Sequence, residues 1–319
     1  MFRWGWLLFA LSVSMSALGQ GYPAKAVKII VPAQPGGGLD LIGRTVAEQL
    51  GRALEQTFIV ENISGGGGTI ASQATARAAP DGYTLMVGYV GTHGTNPAVR
   101  KVPYDAVKDF TPIAMVGGTP NILVAQPTLP VTDLKSLIDY AKKNSATMNY
   151  ASGGIGLLNH LAMEQFKGAA GFEAVVVHYR GIGPAIQDFL AKQTMMMMPG
   201  LAAALPHIRA GKMRPIAITG LKRHPLAPDV PTFEESGFKG FDGVQWYGIV
   251  GPARLPPEIT RRLNAEINKA LATPALQQRL SAEALDPMPM TPEQFGKFIQ
   301  ADIAHWSALA RERNISLDN

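Results

Sequence analysis

Residues 27–44, VKIIVPAQPGGGLDLIGR, constrain the fold of this 319-residue chain more than any other stretch. A β-branched apolar run stops at Pro35, three glycines follow, and Asp40 opens an amphipathic helix in the position of an N-cap. A strand that turns through glycines into a helix exposes that helix's first backbone N–H groups at the positive end of its dipole, which makes an anion site. The turn has neither the lysine of a phosphate loop nor the spacing of a dinucleotide fingerprint, so a nucleotide-binding enzyme is poorly supported. An ionised Asp40 would repel an anion beside it, so a capping or water-mediated role is expected there.

The anion is expected to be met outside the cytoplasm. Arg3 precedes an apolar run over residues 4–18, and the small residues around Gly19 offer a cut near Gln20, the anatomy of a secretory signal over residues 1–20. The run is short for a span of about 20 residues. The chain has no cysteine, which removes disulfides, thiol nucleophiles, thiolate metal sites and a lipoprotein anchor. Its formal charge of +5 is scattered, without the dense basic run of a nucleic-acid arm.

Strand-like runs at 27–33, 57–63 and 83–89 alternate with helical spacing at 41–50 and 70–77, which predicts a mostly parallel sheet with helices on both faces. The same grammar recurs after Leu123, with strands near 148–151, 174–179, 194–198 and 214–219. The passages 121–127 and 244–252 read as paired crossovers between two lobes. The expected division is 21–122 with 248–319 for the first lobe and 123–247 for the second. The C-terminal third is helical, and its aromatics Phe295, Phe298 and Trp306 read as core. A cleft between hinged lobes is a preferred small-molecule site.

Candidate ligand groups follow from the glycine turns. Gln34, Pro35, Gly36, Gly37 and Asp40 form the first. Gly66, in the cluster 65–68, could add backbone donors or belong to a flexible turn. Thr92 is the best side-chain donor after the third strand, where ligands meet strand ends. In the second lobe Ser152, Gly153 and Gly156 form another turn, leading to a helix that bears His160. Tyr179 and Arg180 end a further strand, and a guanidinium there suits a carboxylate, although a surface arginine would look the same. No nucleophile elbow or metal-spaced histidine pair occurs. The chain reads as a binding protein without metal or cofactor.

The motifs VPAQPGGGLDLIGR, APDGYTLMVG, VPYDAVKDFTPIA, ASGGIGLLNHLAMEQF, YRGIGPAIQDFL and DVPTFEESG, in this order, resemble the Bug family, the substrate-binding proteins of tripartite tricarboxylate transporters. The resemblance spans the whole mature chain. It implies a type II-like periplasmic-binding-protein fold, an α/β architecture in which two lobes close on a carboxylate. The ligand would be a dicarboxylate, a tricarboxylate or an aromatic acid, held by the turns at 34–40 and 152–156. It also implies a periplasmic monomer whose partners are the large and small membrane subunits of a transporter.

The chain departs from the family at Gln34, at His178, where a proline is usual, and at Arg180, where lysine is usual. It also reads TMMMMPG over 194–200, where aspartates are usual at the positions of Met195 and Pro199. Methionines facing the cleft would make a soft apolar wall and favour an acid with an apolar or aromatic body and no amino group, whereas strand alternation would turn half of them into the core. The expected function is capture of a small carboxylated acid for uptake. The alternatives are an extracytoplasmic sensor that presents the acid to a signalling receptor and, disfavoured by the export signal, a cytoplasmic effector domain.

Overall fold

The computed structural model describes residues 21–241 and 243–317; the expected export signal lies outside the described residues. The chain opens with β1 (Val27–Val31), α1 (Gly38–Leu54), β2 (Phe58–Asn62), α2 (Thr69–Ala76) and β3 (Thr84–Tyr89). A wide turn at Gly91–Thr95 and the short α3 (Asn96–Val99) lead into β4 (Phe110–Pro120). Next come β5 (Ile122–Ala125), α4 (Leu134–Lys143), β6 (Asn149–Ser152), α5 (Leu158–Ala170) and β7 (Val175–His178). They are followed by α6 (Ile182–Leu190), β8 (Met196–Met197), α7 (Leu201–Arg209) and β9 (Arg214–Ile218). Then β10 (Val244–Pro252) returns, and α8 (Pro257–Leu271), α9 (Pro274–Ala282), β11 (Asp286–Pro287) and α10 (Pro292–Glu312) complete the chain.

Two sheets result, ordered β11-β4-β10-β3-β1-β2 and β7-β6-β8-β5-β9. Both are mixed, not mostly parallel as the strand–helix alternation suggested. β1 pairs parallel with β2 and β3, but β10 runs antiparallel between β3 and β4. In the second sheet β6 pairs parallel with β7 and β8, and β5 lies antiparallel between β8 and β9. The reversals come from the strands that carry the chain between sheets, because a strand that enters one sheet and leaves it directly must run back against its neighbour.

The crossover pair also differs from the sequence expectation. β10 pairs with β4, Val244 facing Pro120, whereas residues 122–125 lie within the second sheet. Residues 110–120 give little alternation because they are buried on both faces, which hides a long strand from a period-2 pattern. Thr219, just after β9, ties the two crossings. Its hydroxyl donates to the Gly243 carbonyl at 2.9 Å and accepts the Asn121 N–H at 2.8 Å.

Each sheet is covered on both faces. In the first, α1 and α8 pack their apolar stripes on Ile29, Val31, Val87 and Ile249. The opposite face carries Trp246 with Phe295 and Trp306, which are core as expected, while Phe298 is half-buried against them. Asp302 of α10 accepts both indole N–H groups, at 2.9 Å from Trp246 and 2.8 Å from Trp306, which satisfies the polar edges of two buried rings. In the second sheet, Met196 and Met198 face one core and Met197 the other, all three fully buried. The methionine run is therefore a two-sided core strand and not a cleft wall, so the apolar or aromatic preference drawn from it loses its basis.

One ion cluster joins the end of α10 to α5. Buried Glu164 receives Lys167 at 2.7 Å, the Tyr150 hydroxyl at 2.5 Å and Arg313 at 3.3 Å. Burial pushes the Glu164 carboxyl up, but the Lys167 and Tyr150 hydrogen bonds outweigh it and hold the group below the usual glutamate range. Lys167 is as deeply buried as its partner, so breaking the pair leaves a buried ammonium with the exposed Glu173 at 3.5 Å in place of a buried counter-charge. Glu164→Gln is expected to cost about 3 kcal/mol in urea unfolding, with Glu164→Gln/Lys167→Met recovering most of it. A neutral single variant would contradict the role assigned to the pair.

Candidate ligand-binding cleft

A cavity of about 390 Å³ lies where the two sheets meet. The first lobe supplies Gly38 at the start of α1, Tyr89 and Gly91 at the end of β3, and Thr95. The crossings supply Thr119, Asn121, Gln245 and Tyr247, and the second lobe the first turns of α5, α6 and α7. A groove of about 430 Å³ lies at the other end of the first sheet, between α8 and α10. Both of those helices begin with proline, which lacks the N–H an anion would need.

Four helices, each of nine or more residues, start at the cleft, and none has its first N–H groups capped by a side chain. Their N-caps are Gly37, Leu157, Gly181 and Gly200. Away from the cleft, α4 and α10 carry complete capping boxes from Asp133 and Thr291. The second-lobe termini are close together: a Cβ on Gly153 would stand 3.1 Å from the Ile182 nitrogen and 3.3 Å from Asn159 Nδ2. On the first-lobe side a Cβ on Gly38 would lie 3.6 Å from the Tyr247 hydroxyl. None of the lining residues is charged. The arrangement offers an anion many neutral donors and several positive dipole ends.

The first turn differs in detail from its sequence reading. α1 begins at Gly38, so Asp40 is not its N-cap but sits within its first turn. The buried Asp40 carboxylate reaches back to accept the Gly36 N–H at 2.9 Å, and also takes Arg44 Nε at 2.9 Å and Asn62 Nδ2 at 3.0 Å. Gly36 and Gly37 are exposed immediately before the cavity, with Pro35 and Gln34, whose amide donates to Ser64.

In the second turn, the Ser152 hydroxyl accepts the Gly154 N–H at 3.2 Å, and the Gly153 carbonyl accepts the Gly181 N–H at 2.8 Å. Gly156 donates to His160 Nδ1 at 3.1 Å, which requires an unprotonated nitrogen. Burial, and then the neighbouring His178, push His160 down to about 4, so the ring is neutral near pH 7. Gly156 is required by contact as well as by its φ of +73°, because a Cβ there would come within 2.5 Å of Val99 in the first lobe. These four residues shape the turn that aims α5 and α6 at the cavity.

Other candidates stand apart from the lining. Thr92 is fully buried and spends its hydroxyl on His93 Nδ1 at 2.8 Å and on the Tyr89 backbone, so it offers no donor to a ligand. The Gly66 carbonyl accepts Arg100, and that of Gly67 accepts Asn96 and the Tyr89 hydroxyl. Through these carbonyls the second glycine cluster braces Tyr89, and none of its residues lines the cavity. Tyr179 donates its hydroxyl to Asp188, facing α6. Arg180 is exposed beside Gly181, outside the cavity lining.

Sequence reasoning missed Tyr89, Thr95, Thr119, Asn121, Asn159, Gln245 and Tyr247, all of which line the cavity. Asn159 was the most accessible to it, one position before His160 and just past a glycine turn. Thr119, Asn121, Gln245 and Tyr247 come together only once β4 and β10 are paired, and α7 follows a strand of only two residues.

Comparison with known proteins agrees with this architecture. Residues 42–315 match the model of the tripartite tricarboxylate transporter family receptor. The chain is 33% identical to protein BugT of Bordetella pertussis over 302 residues, 93% of this chain and 91% of that protein. An R. palustris protein solved with adipate superposes with a TM-score of 0.82 at 32% identity, covering 92% of this chain and 99% of that one. MatC of Rhodopseudomonas palustris, solved with bound malate, superposes with a TM-score of 0.76 at 32% identity, covering 90% and 99%. With a match over most of its length and two lobes that fit these structures, the chain belongs to the tripartite tricarboxylate transporter receptor family, a family of solute-binding proteins.

Proposed function

We propose that this protein is a periplasmic receptor that closes on a small carboxylated organic acid and hands it to the membrane subunits of a tripartite transporter. The observation that carries the reading is the meeting of four uncapped helix N-termini at one cavity with no charged lining residue. Backbone donors held in place before the ligand arrives need no side-chain ordering, and their dipoles favour an anion. Relatives of the same architecture were solved with adipate and with malate, both small carboxylates. The lobes, divided near residues 120 and 244, would rotate about the paired β4 and β10 and bring α1 toward α5, α6 and α7.

Asp40 needs an account, since a carboxylate stands near the anion's jaw. Its charge is engaged by Arg44 first, then by Gly36 and Asn62, which together hold it down to about 2 despite burial. That group brings a neutralising guanidinium with it and fixes the Gly36 turn, leaving the N–H groups of α1 to the ligand.

Thermal-shift screening of the mature protein against organic acids, neutral sugars and amines tests the proposal. An acid at 100 times its Kd should stabilise the protein by about 2.7 kcal/mol. Stabilisation by sugars or amines alone would contradict it. For the jaw, Asp40→Asn should cost about 1–2 kcal/mol at pH 7. Because the folded pKa is depressed, that contribution is whole above about pH 4 and fades as pH falls toward 2. Paired urea titrations from pH 7 downward should therefore find the gap between wild type and variant closing; a pH-independent gap would contradict the assignment.

A further inference from the structure

α5 packs on both lobes at once. It connects β6 to β7, so it is a crossover helix of the second sheet, and its Ala162, Met163, Phe166 and Ala170 bury in that sheet's core. On the opposite side of the helix, Leu158, Leu161, Glu164 and Gly168 form a second stripe, three or four residues apart. Leu158 and Leu161 lie in the first lobe's core with Val99, Trp306 and Leu309. Further along, Glu164 takes Arg313, the C-cap of α10, at 3.3 Å, and a Cβ on Gly168 would stand 3.4 Å from Arg313 Nη1. Leu317 donates its N–H to the Val99 carbonyl at 2.8 Å, which joins α3 and the end of α10 into one wall against α5.

A seam that runs along one helix between two bodies is strained or parted when those bodies rotate about β4 and β10. Its composition sets how firmly it holds. The half beside the cavity is apolar, and the far half is ionic: Glu164, Lys167 and Glu173 belong to the second lobe, and Arg313 reaches them from the first, at 3.3 Å from Glu164 and 3.6 Å from Glu173. A wholly apolar seam would hold the lobes shut, whereas ions regain their hydration on parting and lower the cost of opening. We propose that Arg313 is a positioning residue that latches the first lobe onto α5 and biases the empty receptor toward its closed form. Ligand affinity and release are then set in part about 15 Å along α5 from the cavity. This inference rests on the reading of the protein as a receptor whose lobes close, and adds what holds them together.

Because the chain has no cysteine, nitroxide labels at Ala53→Cys on α1 and Gln187→Cys on α6, both exposed, report the lobe separation by pulsed electron spin resonance. The empty protein should show mainly the short distance. Arg313→Met keeps an apolar stem over Gly168 and leaves Glu164 with Lys167 and Tyr150; it should raise the ratio of long to short distances about fivefold. A saturating acid should restore the short distance, and its dissociation, followed by stopped flow, should be faster by about the same factor. Glu173→Gln, on an exposed side chain that the fold does not need, should act in the same direction by about twofold. A purely structural arginine would lower Tm and leave distances and dissociation unchanged. If the empty wild type is wholly open, or if both variants keep its distances, the inference is overturned while the carboxylate reading stands. If no acid binds, the carboxylate reading falls, and the distances in the empty protein still decide the latch.

Discussion

The architecture depends on how the first N–H groups of its helices are satisfied. A helix begins with donors that have no partner inside it, and most helices meet the shortfall with a capping side chain or a proline. Here α4, α8, α9 and α10 do so, by capping box or by proline at the first position. α1, α2, α5, α6 and α7 do not, and four of these five, all but α2, converge on one cavity. The choice of residue at their N-caps follows: glycine at 37, 181 and 200 and leucine at 157 leave the donors facing outward. Folding therefore assembles an unsaturated surface, and binding a carboxylate completes its hydrogen bonding.

α5 connects this surface to the body of the protein. Its first turn carries Asn159 into the cavity, its next residue, His160, receives Gly156 from the turn, and one turn later Glu164 meets Lys167 and Arg313. Leu158 and Leu161 pack with Trp246 and Trp306, behind the crossings. A helix held at its middle by buried ions and by apolar contacts keeps its N-terminus aimed with little freedom, which spares the ordering cost that a mobile loop would add on binding.

Much of this was legible in the sequence, and what was not has physical causes. The strand–glycine–helix unit at 27–44 gave β1 and α1 because the signal is local: apolar β-branched residues, then glycines, then a helical stripe. Such a pattern says where donors emerge but not where side chains end up. Thr92 looked like a donor by type, yet its hydroxyl is folded back onto His93, and the methionines at 195–198 looked like a wall, yet the pleat divides them between two cores. Thr119, Asn121 and Gln245 were invisible because their significance comes from the antiparallel pairing of β4 with β10, more than 120 residues apart in the chain. Parallel order was overestimated for the same reason.

The most direct test of the central claim is a crystal structure of the protein with a tightly bound acid. Carboxylate oxygens should lie about 2.7–3.2 Å from backbone N–H groups at the starts of α1 and of at least one of α5, α6 and α7. No charged side chain should be in contact with them. A carboxylate paired with Arg180 at the rim, with those helix termini facing only solvent, would contradict the account.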